Sequence, residues 1–245
     1  MLRISVYMPR IGLEIPPTAD SIMIETPLSA RSVEEDALYE FYCNIADRAA
    51  GRTITVIITR ERHLYGEERL QLALRALLRA SVYGRFSLLF RGILTDEDIN
   101  GAMRCLHRAF CELESEGREF NGYIPRGWVI DTPLLLCSPI HISGADTVCL
   151  DVERLSRLLT AMSDPCNTRE LAAPLSKALT NALSCYPTLQ KSVILSGFGA
   201  NGALFDGLWD TKVSEYFFIG NENFSTGMDQ IAELIKKRQK NTNFF

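Results

Sequence analysis

Short apolar, β-branched runs alternate with longer segments of helical periodicity along the chain. That alternation predicts an α/β fold with a parallel sheet, because strands running the same way need a crossover between them. Eight strand candidates fall at 3–8, 21–25, 53–58, 86–90, 128–131, 147–150, 192–196 and 215–219. Val56-Ile57-Ile58, Leu88-Leu89-Phe90 and Val193-Ile194-Leu195 are unbroken apolar runs, as expected of strands covered on both faces. Eight strands in 245 residues suit a closed (β/α)8 TIM barrel, which typically takes roughly 250.

The helical segments carry start and stop signals. Ser32 followed by Glu35 reads as a capping box ahead of Leu38, Phe41, Tyr42 and Ile45, with Gly51 past the end. Residues 67–83 place Leu70, Leu74, Leu77, Leu78 and Val82 on one face and leave Arg69, Arg75 and Arg79 for solvent. Thr95 is a good N-cap for a helix turning Ile99, Met103, Leu106, Phe110 and Leu113 inward and ending near Gly117. His107 stands alone on it, without an expected chemical role. Further helices are predicted over 152–162, 169–184 and 226–239. Between the first two strands, 9–20 is short and contains Pro16-Pro17, so the first helix should be irregular or missing. No linker composition divides the chain, and one domain over 1–245 is the economical expectation.

Charge excludes some partners. A net charge of −4 and a pI near 5.5 provide no cationic footprint for nucleic acid. No apolar stretch reaches the ~20 residues needed to span a bilayer, and the first residues lack a signal-peptide core, so a cytoplasmic location is expected. The seven cysteines form no CxxC pair and no zinc-ligand spacing; reduced, mostly buried thiols are expected.

Four segments carry a resemblance. They are Glu34-Glu35-Asp36-Ala37-Leu38-Tyr39-Glu40; Leu74-Arg75-Ala76-Leu77-Leu78-Arg79-Ala80-Ser81 followed by Gly84; Tyr123-Ile124-Pro125-Arg126-Gly127-Trp128-Val129-Ile130-Asp131-Thr132-Pro133; and Ala145-Asp146-Thr147-Val148-Cys149-Leu150. In order and spacing the chain resembles the C-terminal barrel of enzyme I of the sugar phosphotransferase system, in the phosphoenolpyruvate-utilising family. The resemblance implies a phosphoenolpyruvate/pyruvate-binding TIM barrel, a shared Mg2+, and a homodimer. It also implies a phosphotransferase-system partner whose histidine takes the phosphoryl group. His63, His107 and His141 lie in no glycine-rich phosphohistidine loop, so no N-terminal phosphohistidine domain is expected here.

The family's working positions are largely replaced. Its two phosphate-binding arginines fall on Glu25 and Thr59, and its general-acid cysteine and following glutamate on Ser196 and Phe198. Its metal-binding glutamate falls on Asp131, and the second metal ligand on Arg154. A cation cannot ligate a cation, so an Asp131–Arg154 ion pair is expected in place of a metal, with Arg154 offering two parallel donors. Asp151 and Glu153 are the rival metal ligands, with Asp131 and Mg2+. Arg60, Arg91, Asp131, Asn201 and Asn221 are the ligand-binding candidates at the strand ends. The glycines of 197–202 and the 220–224 segment could cradle a small anion or simply turn the chain, and Asp206, Trp209 and Asp210 could line the same mouth. The leading expectation is a degenerate, non-catalytic barrel with a binding or regulatory role toward a small anionic metabolite or a phosphotransferase-system protein. The rival is a divergent phosphotransferase or lyase acting on phosphoenolpyruvate, pyruvate or another oxo acid.

Overall fold

The computed structural model describes residues 3–8, 15–28, 34–60, 66–138, 144–160, 169–195, 208 and 211–220. Eight parallel strands close into a barrel in sequence order, β1 pairing with both β2 and β8. The strands are β1 Arg3–Met8, β2 Ser21–Glu25, β3 Thr53–Thr59, β4 Arg85–Arg91, β5 Arg126–Ile130, β6 Thr147–Asp151, β7 Gln190–Leu195 and β8 Glu215–Ile219. The helices are α1 Glu35–Ala49, α2 Gly66–Ala80, α3 Asp96–Ser115, α4 Pro133–Cys137, α5 Val152–Thr160 and α6 Arg169–Ser184. The chain thus has the TIM-barrel fold that its alternation predicts.

Period-two alternation divides each strand between two environments. Ile22, Ile54, Val56, Leu88, Phe90, Val148 and Val193 face outward into the layer covered by Leu38, Tyr42, Leu74, Leu77, Leu106 and Leu179 of the helices. Inward, a central layer takes one side chain from each strand: Tyr7, Met23, Ile57, Leu89, Val129, Cys149, Ile194 and Phe217. Above it, at the carboxyl ends, the inward positions are Glu25, Thr59, Arg91 and Asp151, with Asp131 one residue past β5. Below it lie Ser5, Ser21, Thr55, Ser87, Ser192 and Glu215.

Several local expectations need correction. Helix α1 starts after Glu34, whose side chain makes no cap bond, so the proposed Ser32 box does not start the helix; Ser32 itself lies outside the described residues. The reciprocal box is at α3, where Thr95 Oγ1 accepts from the Asp98 N–H and Asp98 accepts from the Thr95 N–H. Val82 lies beyond the end of α2 and is 42% exposed, since the helix stops at Ala80. Strand β5 begins two residues earlier than its apolar run, because Arg126 already pairs with Leu88 and Gly127 with Thr147. Of the segment between β1 and β2 only residues 15–20 are described, and they hold no helix; residues 9–14 lie outside the described residues. The segment 226–239 lies outside the described residues. The six described cysteines are free thiols, of which only Cys105 and Cys149 are buried. No described helix is long and apolar enough to cross a membrane.

Arg75 and Arg79 do not form a solvated face. Arg75 donates to Glu35 at 2.6 Å, Glu112 at 3.1 Å and Glu116 at 2.9 Å, and Arg79 donates to Glu35 at 2.6 Å and Asp36 at 2.8 Å. The two guanidiniums tie α2 to α1 and α3, with Glu35 accepting from both. Networked pairs held in partly buried geometry outperform isolated surface pairs. Glu35→Ala is therefore expected to cost about 1–2 kcal/mol. Urea denaturation should show the loss, and it should shrink in high salt; an unchanged midpoint would mean that the network is only ornamental.

Candidate functional site

The charged groups at the carboxyl end of the barrel converge because inward-facing positions from non-adjacent strands meet once the sheet closes. Arg91 ends β4 with only 4% of its surface exposed. Its Nη1 donates to Glu25 Oε1 at 2.9 Å and its Nη2 to Asp151 Oδ2 at 2.7 Å, while its Nε stands 3.8 Å from Asp131 Oδ2. One buried guanidinium thus faces carboxylates from the ends of β2, β5 and β6. Burial would pull its pKa down, but Asp151 and then Glu25 more than offset this and hold it above its ordinary value.

Each carboxylate has a different environment. Glu25 is the best satisfied, since the Tyr7 hydroxyl donates to it at 3.0 Å and Thr59 Oγ1 at 3.1 Å, besides Arg91. Asp151 closes the amino end of α5, its Oδ1 accepting from the Arg154 N–H at 2.9 Å. Asp131 is 1% exposed, with Arg154 Nε 3.4 Å from its Oδ2. Its Oδ1 is buried with no hydrogen-bond partner, as is Arg91 Nε. Thr132 Oγ1 and Glu153 Oε2 are likewise buried without partners. Burial raises the Asp131 pKa; Arg154 and Arg91 oppose that rise, and Asp151 adds to it. Burial also raises the Tyr7 hydroxyl, with Glu25 adding to the effect. Three carboxylates face two guanidiniums, and a protonated Asp131 would balance them.

The sequence-derived candidates sort accordingly. Glu25, Thr59, Arg91, Asp131, Asp151 and Arg154 meet at the mouth. Arg60 does not: its guanidinium pairs with Asp98 at the start of α3. Because Thr59 faces inward, the next residue faces out. Arg154 reaches Asp131 through one nitrogen, not through the expected two-donor fork, and is 53% exposed. Glu153 pairs with Arg157 at 2.5 Å. Ser196, Phe198, Asn201, Asp206, Trp209, Asp210 and Asn221 lie outside the described residues. Tyr7 is absent from the sequence-derived candidates; its place near the end of the first strand is the signal that points to it.

Asp131 ties this site to stability. A carboxyl whose folded pKa is raised favours folding in its protonated form. Its contribution is complete below the unfolded-state pKa and is lost as pH rises through the folded value. Asp131→Asn is therefore expected to be more stable than the parent at pH 7, with the difference closing on acidification. Urea midpoints across pH 4–7 check this; a midpoint that falls at neutral pH would show that the ionised form is the favoured one.

Magnesium fits the described residues poorly. Asp131 Oδ1 is open, but both Asp151 oxygens are occupied and Arg91 stands between the two carboxylates. Among the described residues no three His, Cys, Asp or Glu side chains are grouped to hold a metal ion.

No family model matches the chain. A phosphoenolpyruvate-protein phosphotransferase of Haemophilus influenzae is 36% identical over 66 residues, which is 27% of this chain and 12% of that relative. The likeness is therefore shorter than the near full-length resemblance read from the separate segments. A solved citrate lyase from Burkholderia xenovorans LB400 superposes with a TM-score of 0.61 at 13% identity, covering 94% of this chain and 76% of that one. RipC from Yersinia pestis gives 0.55 at 13% identity, covering 94% of each chain. At those identities the likeness is one of fold, and it agrees with the closed eight-stranded barrel seen here.

Proposed function

We propose that the carboxyl-end mouth binds a small oxo acid and that the chain is a divergent lyase-type barrel, with Asp131 as its proton carrier. The observation that carries this reading is the Asp131 carboxyl, buried beside Arg91 and Arg154 with Oδ1 unpartnered. An acid or base is useful when its pKa has moved toward the working pH and one of its oxygens is free to exchange a proton. Arg154, half in solvent, would meet the incoming carboxylate, while Arg91 would supply fixed positive charge beneath it. In cleavage of a hydroxy acid, ionised Asp131 would take the hydroxyl proton as the carbon–carbon bond breaks. The electron pair would pass to the departing enolate, and Asp131 would return the proton to its carbon. The superposition on a citrate lyase supports a lyase-type scaffold, but the substrate is inferred only from the mouth's charges.

Calorimetry with oxalate and with pyruvate, in the presence and absence of Mg2+, tests the binding step. Saturable binding without Mg2+, weakened at least tenfold in Arg154→Ala, is the expected result. No heat with the parent protein under either condition would sink the reading.

A second reading has its own observation in Arg91, whose terminal nitrogens are already committed to Glu25 and Asp151. So engaged, it supports a non-catalytic barrel that binds an anionic metabolite or a phosphotransferase-system protein, as a homodimer. Ligand binding without turnover of any hydroxy or oxo acid would favour that reading.

A further inference from the structure

The opposite, amino-terminal end of the barrel holds a cavity of about 220 Å³. The proposed function makes no use of it. Arg3, Thr55, Ser87, Gln190, Ser192 and Glu215 supply its polar wall, and Leu89 and Phe217 of the central layer supply apolar surface. Bulky branched side chains normally fill the inside of such a barrel. Here the inward positions at this end are Ser5, Ser21, Thr55, Ser87, Gly127, Thr147 and Ser192, all small, and Glu215 is 5% exposed among them. Small residues leave space, and hydroxyls and a carboxylate make that space costly unless each polar group has a partner.

The partners present leave a specific remainder. Glu215 is satisfied: Arg3 lies 2.7 Å from Oε2, Ser5 donates to Oε1 at 2.6 Å, and Ser21 also donates to Oε1. Thr55 and Ser87 share one hydrogen bond of 2.9 Å, so each hydroxyl keeps further capacity. Ser192 Oγ, buried beside the Cys149 thiol, forms no hydrogen bond of good geometry. Arg3 pairs with Glu215 at 2.7 Å, and the Arg126 guanidinium, in an exposed contact, donates through Nε to Gly144 O at 3.0 Å. The cavity therefore offers hydroxyl donors and acceptors with an apolar wall, and its buried carboxylate is already paired. Those properties suit a neutral polyhydroxy molecule better than an ion.

We propose that this cavity is a binding site for a small neutral polyol of three to four carbons. At about 30 Å³ per water, the volume holds roughly seven waters, close to the heavy-atom count of such a molecule. Its hydroxyls would partner Ser192, Thr55 and Ser87, and its C–H face would lie on Phe217.

Polyols at high concentration stabilise proteins by exclusion from their surfaces, so melting temperature is the wrong readout. The test is saturation-transfer NMR on the full chain, with glycerol and erythritol as probes and sucrose as an oversized control. Saturable erythritol signals are expected, with none from sucrose. Affinity should fall at least tenfold in Ser87→Leu, which fills the cavity, and severalfold in Ser192→Ala, while oxalate binding at the mouth is unchanged. If Ser87→Leu does not fold, Ser192→Ala and Thr55→Val decide. Absence of saturable signals in the parent, or equal affinity in the folded variants, would overturn the proposal and leave a water-filled cavity. Because oxalate reports on the other end of the barrel, failure here and failure of the proposed function are distinguishable.

Discussion

Arg91→Met is expected to lower stability at pH 7 by about 3–5 kcal/mol, the range found when one partner of a buried ion pair is removed. The loss reflects what stays behind more than what is taken away. Glu25 keeps its bonds from Tyr7 and Thr59, but Asp151 loses the donor to Oδ2, and Asp131 loses one of the two cations that oppose its burial. With the guanidinium gone, Asp131 keeps its burial but loses one of the cations that oppose the rise of its pKa, so it ionises less readily still in the folded state. Such a group favours folding when protonated and ceases to as pH rises through its folded value. The gap between variant and parent should therefore narrow as pH falls toward 5. A second readout follows from the vacated centre: three carboxylates without their cation should accept Mn2+, so added Mn2+ should raise the melting temperature of Arg91→Met but not that of the parent. Equal stability of variant and parent at pH 7 would remove Arg91 from the centre of the site. A parent protein that binds Mn2+ as tightly as the variant would restore the metal-dependent alternative.

The fold was legible for a physical reason. Strands covered on both faces must be apolar throughout, and Val56-Ile57-Ile58 or Val193-Ile194-Leu195 can serve no other role so economically. Strand ends were less legible. Arg85, Arg91, Arg126 and Asp151 belong to strands through backbone pairing, which takes no notice of side-chain polarity. Ser32 offered the right chemistry for a cap, but α1 begins at Glu35 without a side-chain cap.

The site was legible one residue at a time and illegible as an arrangement. Glu25, Arg91, Asp131 and Asp151 all stand at or next to strand ends, where a barrel carries its chemistry. That they share one guanidinium depends on closure, which places inward residues of β2, β4 and β6 in reach of each other although 60 residues separate Arg91 from Asp151. Arg60 is the instructive error. Strand alternation alone assigns it to the outer face once Thr59 is placed inward, and Asp98 of the α3 capping box receives it there. The resemblance points to Arg154, but its contact with Asp131 is a single nitrogen at the solvent edge; the deeper cation is Arg91.

Gly127→Ala is expected to be more damaging still, costing about 4 kcal/mol or more or preventing folding, a size reserved for a few mechanisms of which backbone collision is one. Gly127 pairs with Thr147 in the β5–β6 ladder, and a Cβ on it would lie 2.0 Å from Thr147 O, 2.7 Å from Thr147 C and 3.0 Å from Leu89 Cδ2. The first two contacts are backbone, so no rotamer change relieves them; the strands must part. Parting there breaks ladder bonds that no water replaces inside the barrel. The consequence should reach the mouth, because Asp131 and Asp151 each lie four residues farther along the same two chain segments, and Arg91 spans both. A folded remnant should therefore also bind oxalate more weakly than the parent. Gly122→Ala is the control: a Cβ there meets nothing within 4 Å, and its effect should stay within about 0.5 kcal/mol. Thermal and urea unfolding of the two variants side by side decide the matter. Equal stability for both would show that β5 and β6 can move apart at little cost, and that this close approach does not hold the carboxylates in register.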